Sequence, residues 1–225
     1  MWHKFIISQR NRMSKKTNDF NSVAGMYDSI ANVVFKKSLM ESQLNFLDEL
    51  PQEGHILFIG GGSGKILPDL WKLRPKLHID FLDASQKMIN KAEKRLRRKP
   101  NAKIRFISGT ENDIEPDATY DAILTFFFLD LFPTEKKLKV AKKLNTHLKK
   151  GGIWLHADFN EAHTFMQRMR EKSMFLFFKM VSNIEADKIT DDSLVFDQLN
   201  LHLQRKKINP KAGVYSAIYK IETLD

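Results

Sequence analysis

The stretch ILFIGGGSGKI at residues 56–66 runs from four apolar residues directly into a loop with four glycines. An apolar run bounded by glycine is typical of a buried parallel strand, and backbone N–H groups at the start of the following helix can then contact a ligand. The spacing excludes two familiar ligand loops. A P-loop requires glycine in place of Ile59 and a hydroxyl in place of Ile66, and a dinucleotide loop requires glycine in place of Lys65.

The spacing that fits is G-x-G-x-G, with glycines at residues 60, 62 and 64. A second apolar run follows and ends at Asp83, 23 positions after Gly60. An acidic residue about 20 positions after the first glycine accepts hydrogen bonds from ribose hydroxyls in nucleotide-binding folds. Taken alone, Asp83 would favour a helix-capping role, but together with the glycine loop it indicates a ribose-binding carboxylate.

Strand and helix patterns alternate along the chain. The predicted strands span residues 55–59, 77–82, 104–108, 122–127 and 153–156, and the predicted helices span 65–73, 85–96 and 134–148, the last closed by Gly151-Gly152. This alternation predicts an α/β fold with a doubly wound, mostly parallel sheet. Two further strands, 201–207 and 214–221, are predicted to form a hairpin. The sheet would then have seven strands, with an antiparallel last strand.

We expect one domain from residue 18 to residue 225, because no linker rich in proline and glycine divides the chain. Residues 160–200 are expected to form a helical insertion that serves as a lid over the acceptor site. Residues 1–17 are expected to be a disordered arm or an extension, because residues 1–12 show no periodicity and Met13 is followed by an ordinary protein start.

Several motifs together resemble the class I S-adenosylmethionine (SAM)-dependent methyltransferases. The glycine loop resembles their first motif, and DASQKM at residues 83–88 resembles the second. Later stretches resemble the third-strand motif, the fourth-strand motif and the turn into the fifth strand, namely FISGTEND (106–113), YDAILTFFFLDLF (120–132) and LNTHLKKGGIWLHADF (144–159). The stretch FNSVAGMYDSIA (20–31) is similar to the opening of the ubiquinone/menaquinone C-methyltransferases, a branch that acts on small molecules.

The resemblance implies a Rossmann-like methyltransferase fold with SAM as the cofactor. It also implies a cofactor site formed by Tyr27, Gly60, Gly61, Gly62, Gly64, Asp83, Ala84, Met88, Thr110, Glu111 and Thr125. Tyr27 would lie at the methionine end of the cofactor, and the residues after Asp83 would line the adenine. Two positions depart from the family pattern. Phe58 stands where the first motif usually has an acidic residue, and Thr110 stands where an acid often holds the adenine amine.

Methyl transfer by direct displacement asks little of the protein, because the sulfonium carries the leaving group. A general base matters only where the acceptor must lose a proton. His156 and Asp158 are two positions apart, so they share one side of a strand, and beyond the strand end both would face the pocket as candidate catalytic residues. A hydrogen-bonded structural histidine is the alternative for His156. The stretch HADFNEAH (156–163) would also suit metal ligands, but most of this chemistry needs no metal and none is predicted.

The acceptor is expected to be a small apolar or aromatic molecule. Nine of the 17 phenylalanines lie between residues 126 and 178, in segments that cover the acceptor site in this fold. The stretch MFLFFKM (174–180) is apolar all round a helix, which suits a lid or the contact of a homodimer.

Charge and composition limit the other function classes. The net charge is +10, which favours anionic partners and leaves an RNA-directed methyltransferase as an alternative. The chain lacks the N/D-P-P-Y/F motif of adenine methylation and any cysteine nucleophile, so a nucleic-acid target is not predicted. No apolar run reaches the about 18 residues of a membrane span, and the absence of cysteine suits the cytoplasm. A non-catalytic SAM-binding protein stays open, as does, less favoured, an aminopropyltransferase, whose loop has an aspartate where this chain has Ser63.

Overall fold

A computed structural model describes residues 37–97, 102–160, 192–210 and 212–221. The chain divides into two units. In the first, Met1–Leu39, only residues 37–39 are described, and they are helical. The second, Met40–Asp225, contains the sheet and the sites discussed below. The predictions for residues 1–17, for Tyr27 and for most of the lid at 160–200 therefore lie outside the described residues.

The predicted seven-stranded, mostly parallel sheet is confirmed. Its strands are β1 (Glu53–Ile59), β2 (Lys76–Asp83), β3 (Lys103–Ser108), β4 (Tyr120–Phe126), β5 (Leu148–Phe159), β6 (Leu201–Asn209) and β7 (Val214–Ile221). Their order across the sheet is β3-β2-β1-β4-β5-β7-β6. The last strand, β7, lies between β5 and β6 and runs antiparallel to both. The central strands are apolar on both sides because helices cover both faces of the sheet.

Helices cover each face of this sheet. They are α1 (Leu67–Leu73), α2 (Gln86–Leu96), α3 (Thr134–Thr146) and α4 (Ser193–Asp197), together with helical residues 40–44. Pro68 stands in the first turn of α1, where its missing N–H costs no hydrogen bond. Ser85 holds the N-cap position of α2 as predicted, but its side chain makes no capping bond. Its backbone N–H donates to Asp83 Oδ1 instead, at 2.9 Å.

Each face of the sheet has its own apolar layer and its own helices. On the first face, α1 and α2 pack on the β1 and β2 side chains around Phe58 and Phe81. On the second face, α3 and α4 pack around Trp154 and Phe196. The side chains alternate because successive residues of a strand point to opposite faces.

The predicted end of the third connecting helix was wrong. Helix α3 ends at Thr146 and β5 already begins at Leu148, so Gly151 and Gly152 lie within the strand. Along this edge β4 advances from Tyr120 to Ala122 while β5 advances from Leu148 to Ile153, which makes a bulge in β5. The bulge requires a φ of +74° at Gly151. The glycine pair therefore bends a strand, which the sequence pattern alone does not distinguish from a helix end.

The buried carboxylate of Asp80 links β2 to two other strands on the second face. Asp80 is bound by Arg105 through two bonds of 2.9 and 2.7 Å and by the Tyr120 hydroxyl at 2.8 Å. Burial raises the pKa of Asp80, but these donors outweigh it and hold the pKa below its ordinary value. Side-chain hydrogen bonds thus connect β2 with β3 and β4 on this face.

Candidate functional site

The glycine loop is packed so tightly that side chains are excluded from three of its positions. Gly60, Gly62 and Gly64 have φ values of +67°, +58° and +64°, a region that glycine adopts without strain. An added Cβ would lie 2.4 Å from a ring carbon of Phe128 at Gly60, 2.2 Å from a ring carbon of Phe81 at Gly61, and 2.8 Å from the Ala92 Cβ at Gly64. The loop therefore packs directly against side chains of β2, of α2 and of the segment after β4.

Gly62 is the exception, because it faces open space. Among the described residues, apart from its own chain neighbours, no atom lies within 4 Å of a Cβ placed there. Its backbone N–H donates to Asp83 Oδ2 at 2.8 Å. Asp83 also accepts the Ser85 N–H through Oδ1, and each carboxylate oxygen keeps a second lone pair for a ligand hydroxyl. The structure thus brings Gly62 and Asp83 together at the edge of an open space, as a ribose site requires.

The predicted adenine-side residues lie close to Asp83. Ala84 is exposed and Met88 is half-buried at the start of α2. The Gly109 N–H donates to the Asp83 carbonyl at 3.0 Å, which brings the next loop alongside. In that loop Thr110 caps the short turn Glu111–Asp113. Its hydroxyl accepts the Asn112 N–H at 3.2 Å, so it is already engaged in holding the loop.

Phe58 is part of the core beneath the glycine loop. It is 2% exposed, and its ring contacts Phe81 and Phe126 edge to face at centroid distances of 5.2 and 5.5 Å. The residue that replaces the family's acid therefore contributes packing, and the floor of the loop is apolar.

Thr125 is buried on the second face. It pairs with Ile59 of β1 on one side and His156 of β5 on the other. Its hydroxyl accepts the Trp154 Nε1–H at 2.8 Å and lies 3.0 Å from His156 Nδ1. The structure thus brings Thr125 together with the predicted catalytic histidine, one strand away from the glycine loop.

His156 and Asp158 are interior residues of β5, so the prediction that they lie beyond a strand end was wrong. The strand continues to Phe159 because β7 pairs with it as far as Val214. Both side chains point to the second face and are 1% exposed. They are near each other, with 3.8 Å between His156 Nε2 and Asp158 Oδ2. Among the described residues they belong to a closed polar group.

This group, the buried polar cluster, consists of Asp130, Lys137, His156, Asp158, Asp192 and Tyr215. Lys137 Nζ lies 2.5 Å from Asp192 Oδ1, and both side chains are 2% exposed. His156 Nε2 lies 3.1 Å from Asp192 Oδ2 and 3.0 Å from the Tyr215 hydroxyl. Burial raises the pKa of Asp192, but His156 and Lys137 outweigh it and lower the pKa overall.

Two further carboxyls of the cluster lie side by side. The Asp130 backbone N–H donates to Asp158 Oδ2 at 3.2 Å, and the Phe159 N–H donates to Asp158 Oδ1 at 2.8 Å. Burial, followed by repulsion from Asp192, raises the pKa of Asp130 to about 7. Burial, followed by repulsion from Asp130, raises the pKa of Asp158 well above its ordinary value. The pair therefore retains a proton near neutral pH.

Sequence reasoning missed Asp130, Lys137, Asp192 and Tyr215 as members of this group. The burial of Lys137 could have been predicted from the sequence, because Lys137 continues the helical stripe of Val140, Ala141 and Leu144, which is buried. A charged residue in such a stripe indicates a buried partner. Asp192 carried no signal, since it lies 36 residues along the chain from His156.

The same cluster contains a set of possible metal ligands. Ligand atoms of His156, Asp158 and Asp192 lie within 4.8 Å of one another. The Lys137 ammonium already supplies a positive charge at Asp192, so the carboxylates have a cation partner without a metal. Glu161 and His163, the other residues of the sequence pattern, lie outside the described residues.

Asp130 makes stability depend on pH. Its pKa of about 7 in the folded state exceeds the value of about 3.9 in an unfolded chain, so between these values the folded state holds an additional proton. Binding this proton stabilises the folded state. The resulting contribution to the free energy of unfolding is fully present below about pH 4 and is lost as the pH rises through about 7. The free energy of unfolding in urea should therefore fall between pH 5 and pH 7.5. We expect this fall to be smaller in the Asp130→Asn variant, which lacks the titrating carboxyl.

An exposed aspartate provides the control for that measurement. Asp117 is exposed in a loop, so the Asp117→Asn variant should keep the pH profile of the unmodified protein. The role assigned to Asp130 would be refuted if Asp130→Asn and Asp117→Asn gave the same slope.

Comparison with known proteins identifies the family. A family described as a methyltransferase domain matches residues 57–154, from β1 into β5. Residues 57–154 therefore form a domain of the class I SAM-dependent methyltransferase type. SAM is accordingly the cofactor expected for the space beside Gly62 and Asp83. Among the described residues, no helix has the length and apolarity that a bilayer crossing needs.

Three similar proteins illustrate the relationship. The malonyl-[acyl-carrier protein] O-methyltransferase of Bacillus cereus is 32% identical over 167 residues, which are 68% of this chain and 57% of that protein. The chain therefore spans little more than half of that relative. A SAM-dependent methyltransferase from Methanosarcina mazei aligns with a TM-score of 0.58 and 21% identity, over 76% of this chain and 94% of that one. The magnesium protoporphyrin IX methyltransferase from Synechocystis with bound SAH aligns with a TM-score of 0.61 and 16% identity, over 81% of this chain and 80% of that one.

Proposed function

We propose that this methyltransferase transfers a methyl group from SAM to a small apolar or aromatic acceptor by in-line displacement. The observation that carries the proposal is the Gly62–Asp83 pair at the edge of an open space. When bound, SAM supplies a methyl group on a positively charged sulfur. The residues expected to hold it are the glycine loop, Asp83, and the Ala84–Met88 and Thr110–Glu111 segments beside it.

The contribution of the protein to this chemistry is mainly positioning. Holding two reactants in line can contribute about 7–11 kcal/mol to lowering a barrier. The loop suits this task because Gly60, Gly61 and Gly64 are fixed by close packing. Asp83 would help to orient the cofactor, since its two oxygens are already held in place by hydrogen bonds from the Gly62 and Ser85 N–H groups.

Aromatic side chains support an apolar acceptor. Phe127 follows β4 with a φ of +54°, unusual for a phenylalanine, and its ring lies 5.0 Å from that of Phe159. Phe128 and Phe132 are in edge-to-face contact at 5.3 Å, and Phe128 also lies against Gly60. The residues after the carboxyl end of β4 are thus an apolar wall next to the cofactor loop, where ligands bind in such sheets.

A carboxylated acyl group on a carrier protein is a second candidate acceptor. It is favoured by the similarity to the malonyl-[acyl-carrier protein] O-methyltransferase of Bacillus cereus. Methylating a carboxylate requires no general base, which agrees with a site whose predicted base, His156, is buried. Assays with SAM and either free aromatic acceptors or malonyl-carrier protein would separate the two candidates.

Binding should be tested first, with SAM, S-adenosylhomocysteine, decarboxylated SAM, NADH and ATP in thermal-shift and calorimetric assays. We expect selective stabilisation by SAM and S-adenosylhomocysteine in the unmodified protein and none in the Gly62→Arg variant, because the arginine would occupy the open space. Gly151 provides a matched control. It too has a positive φ, of +74°, and in the described part of the chain nothing beyond its own neighbours lies within 4 Å of an added Cβ, so Gly151→Arg should bind both compounds normally.

Other outcomes would redirect the proposal. A response to decarboxylated SAM alone would indicate an aminopropyltransferase. Binding of SAM without turnover of any acceptor would favour a non-catalytic SAM-binding protein, and no response to any compound would contradict the proposal. We further propose a cytoplasmic location, on the ground of the cysteine-free composition.

A further inference from the structure

The edge strand β6 has an unusual composition for a strand of this sheet. Its sequence is LHLQRKKIN, with three cationic residues and no carboxylate. Seven of its nine residues are exposed, and in the described part of the chain it has a strand neighbour only on its β7 side. The side chains and the outer edge of β6 therefore face the solvent.

A bulge distributes the cations over both sides of β6. Between Leu203 and Arg205 the register with β7 shifts. As a result Lys206 shares a side with Leu203 and Ile208, whereas Arg205 and Lys207 lie on the opposite side. Leu203 and Ile208 are 50% and 49% exposed. One side of the strand is thus a lysine between two exposed aliphatic residues.

Two of the three cations have no carboxylate partner among the described residues. Arg205 pairs with Glu49. Lys206 lies over the Tyr215 ring, 4.4 Å from its centroid, and Lys207 donates to Asn45 Oδ1 at 3.0 Å. Both lysines are held by neutral groups that keep their charge in place without compensating it.

These features select one class of partner. A second copy of the chain is disfavoured, because pairing two β6 edges would bring like charges together, and lysines on edge strands serve to prevent such pairing. Single-stranded RNA is disfavoured because it binds largely through aromatic stacking, and the exposed side chains of β6 include no phenylalanine, tyrosine or tryptophan. An acidic polypeptide with aliphatic side chains matches both the charge and the apolar surface.

We propose that β6 is a docking strand for an acidic polypeptide segment, with Lys206 and Lys207 as the recognising charges and Leu203 and Ile208 as the apolar contacts. The segment lies along β6, its carboxylates toward the two lysines and its aliphatic side chains over the two apolar residues. This surface is separate from the Gly62–Asp83 site, so the inference does not depend on the methyl acceptor.

The test measures binding of a labelled peptide as long as β6, with two adjacent glutamates between valines, by fluorescence anisotropy with the full chain. Adjacent residues of an extended peptide point to opposite sides, so one glutamate can meet Lys206 and the other Lys207. Lys206→Glu/Lys207→Glu should weaken binding at least about tenfold, because two attractive pairs become repulsive. The matched control is Lys91→Glu/Lys94→Glu. These exposed lysines lie on α2, which packs against β2 and β3, and the change in net charge is the same, so binding should change less than about threefold.

A neutralising variant distinguishes loss of the two lysine charges from misfolding as the cause of weaker binding. Lys206→Gln/Lys207→Gln should also weaken binding while its melting temperature stays that of the unmodified protein. Equal losses in the β6 and α2 variants would overturn the proposal, as would equally tight binding of the same peptide with lysines in place of its glutamates. Tighter, β6-dependent binding of oligouridylate or of phosphatidylglycerol vesicles than of the acidic peptide would likewise overturn it.

Discussion

Replacing Asp83 with alanine is expected to weaken S-adenosylhomocysteine binding at least about a hundredfold. In the proposed site both oxygens of Asp83 would accept hydrogen bonds from ligand hydroxyls, and Oδ2 already accepts the Gly62 N–H at 2.8 Å. A hydrogen bond to a charged group contributes about 1.5–3 kcal/mol, so losing two such bonds corresponds to two or more factors of ten. Isothermal titration calorimetry would measure the dissociation constants.

Two variants separate the ligand effect from damage to the loop. Asp83→Asn keeps an oxygen for the loop N–H groups but loses the charge, so its affinity should fall between those of the alanine variant and the unmodified protein. Asp117→Ala changes an exposed carboxylate elsewhere and should leave affinity unchanged. If Asp83→Ala bound within about threefold of the unmodified protein, Asp83 would not be the ribose-binding residue.

Replacing Lys137 with methionine is expected to destabilise the fold by about 3–5 kcal/mol, since removing one partner of a buried ion pair leaves an uncompensated charge. Here the consequence is severe, because Asp192 would lose its ammonium at 2.5 Å while Asp130 and Asp158 remain nearby. The free energy of unfolding in urea is the appropriate measurement.

The second partner allows a decisive check. The double variant Lys137→Met/Asp192→Leu removes both charges and should recover part of the lost stability, because an apolar pair of similar volume can replace a buried ion pair. Lys139→Met, at an exposed position of α3, should cost less than about 0.5 kcal/mol. A loss below about 1 kcal/mol for Lys137→Met would show that Asp192 is satisfied without the lysine.

Local patterns were sufficient to predict the sheet and the cofactor loop. The glycine spacing and the position of Asp83 depend on residues close in sequence, and their geometry follows from one strand, one turn and one helix. The antiparallel last strand was predictable because a short turn can join only antiparallel neighbours. The bulge at Gly151 was not, since it depends on how many residues of β5 stay unpaired against β4.

The buried polar cluster was beyond sequence reasoning for a different reason. His156 and Asp158 were correctly placed on one side of a strand, but their burial depends on α3 and on Asp192, which pack over β5 from distant parts of the chain. A histidine and a carboxylate two residues apart look the same in sequence whether they face solvent or an ion pair. The role of the predicted catalytic pair therefore stays a prediction.

The division of the sheet into two unlike faces has a consequence for the divergence of such proteins. The helices beside the glycine loop pack on the first face, whereas all carboxylates in the described interior, Asp80, Asp158 and Asp192 among them, lie on the second. Substitutions on the second face can change interior charge and proton affinity without disturbing the packing that shapes the loop. Descendants of one ancestor could therefore keep the same methyl donor while exploring new acceptors, each side of the sheet evolving at its own pace.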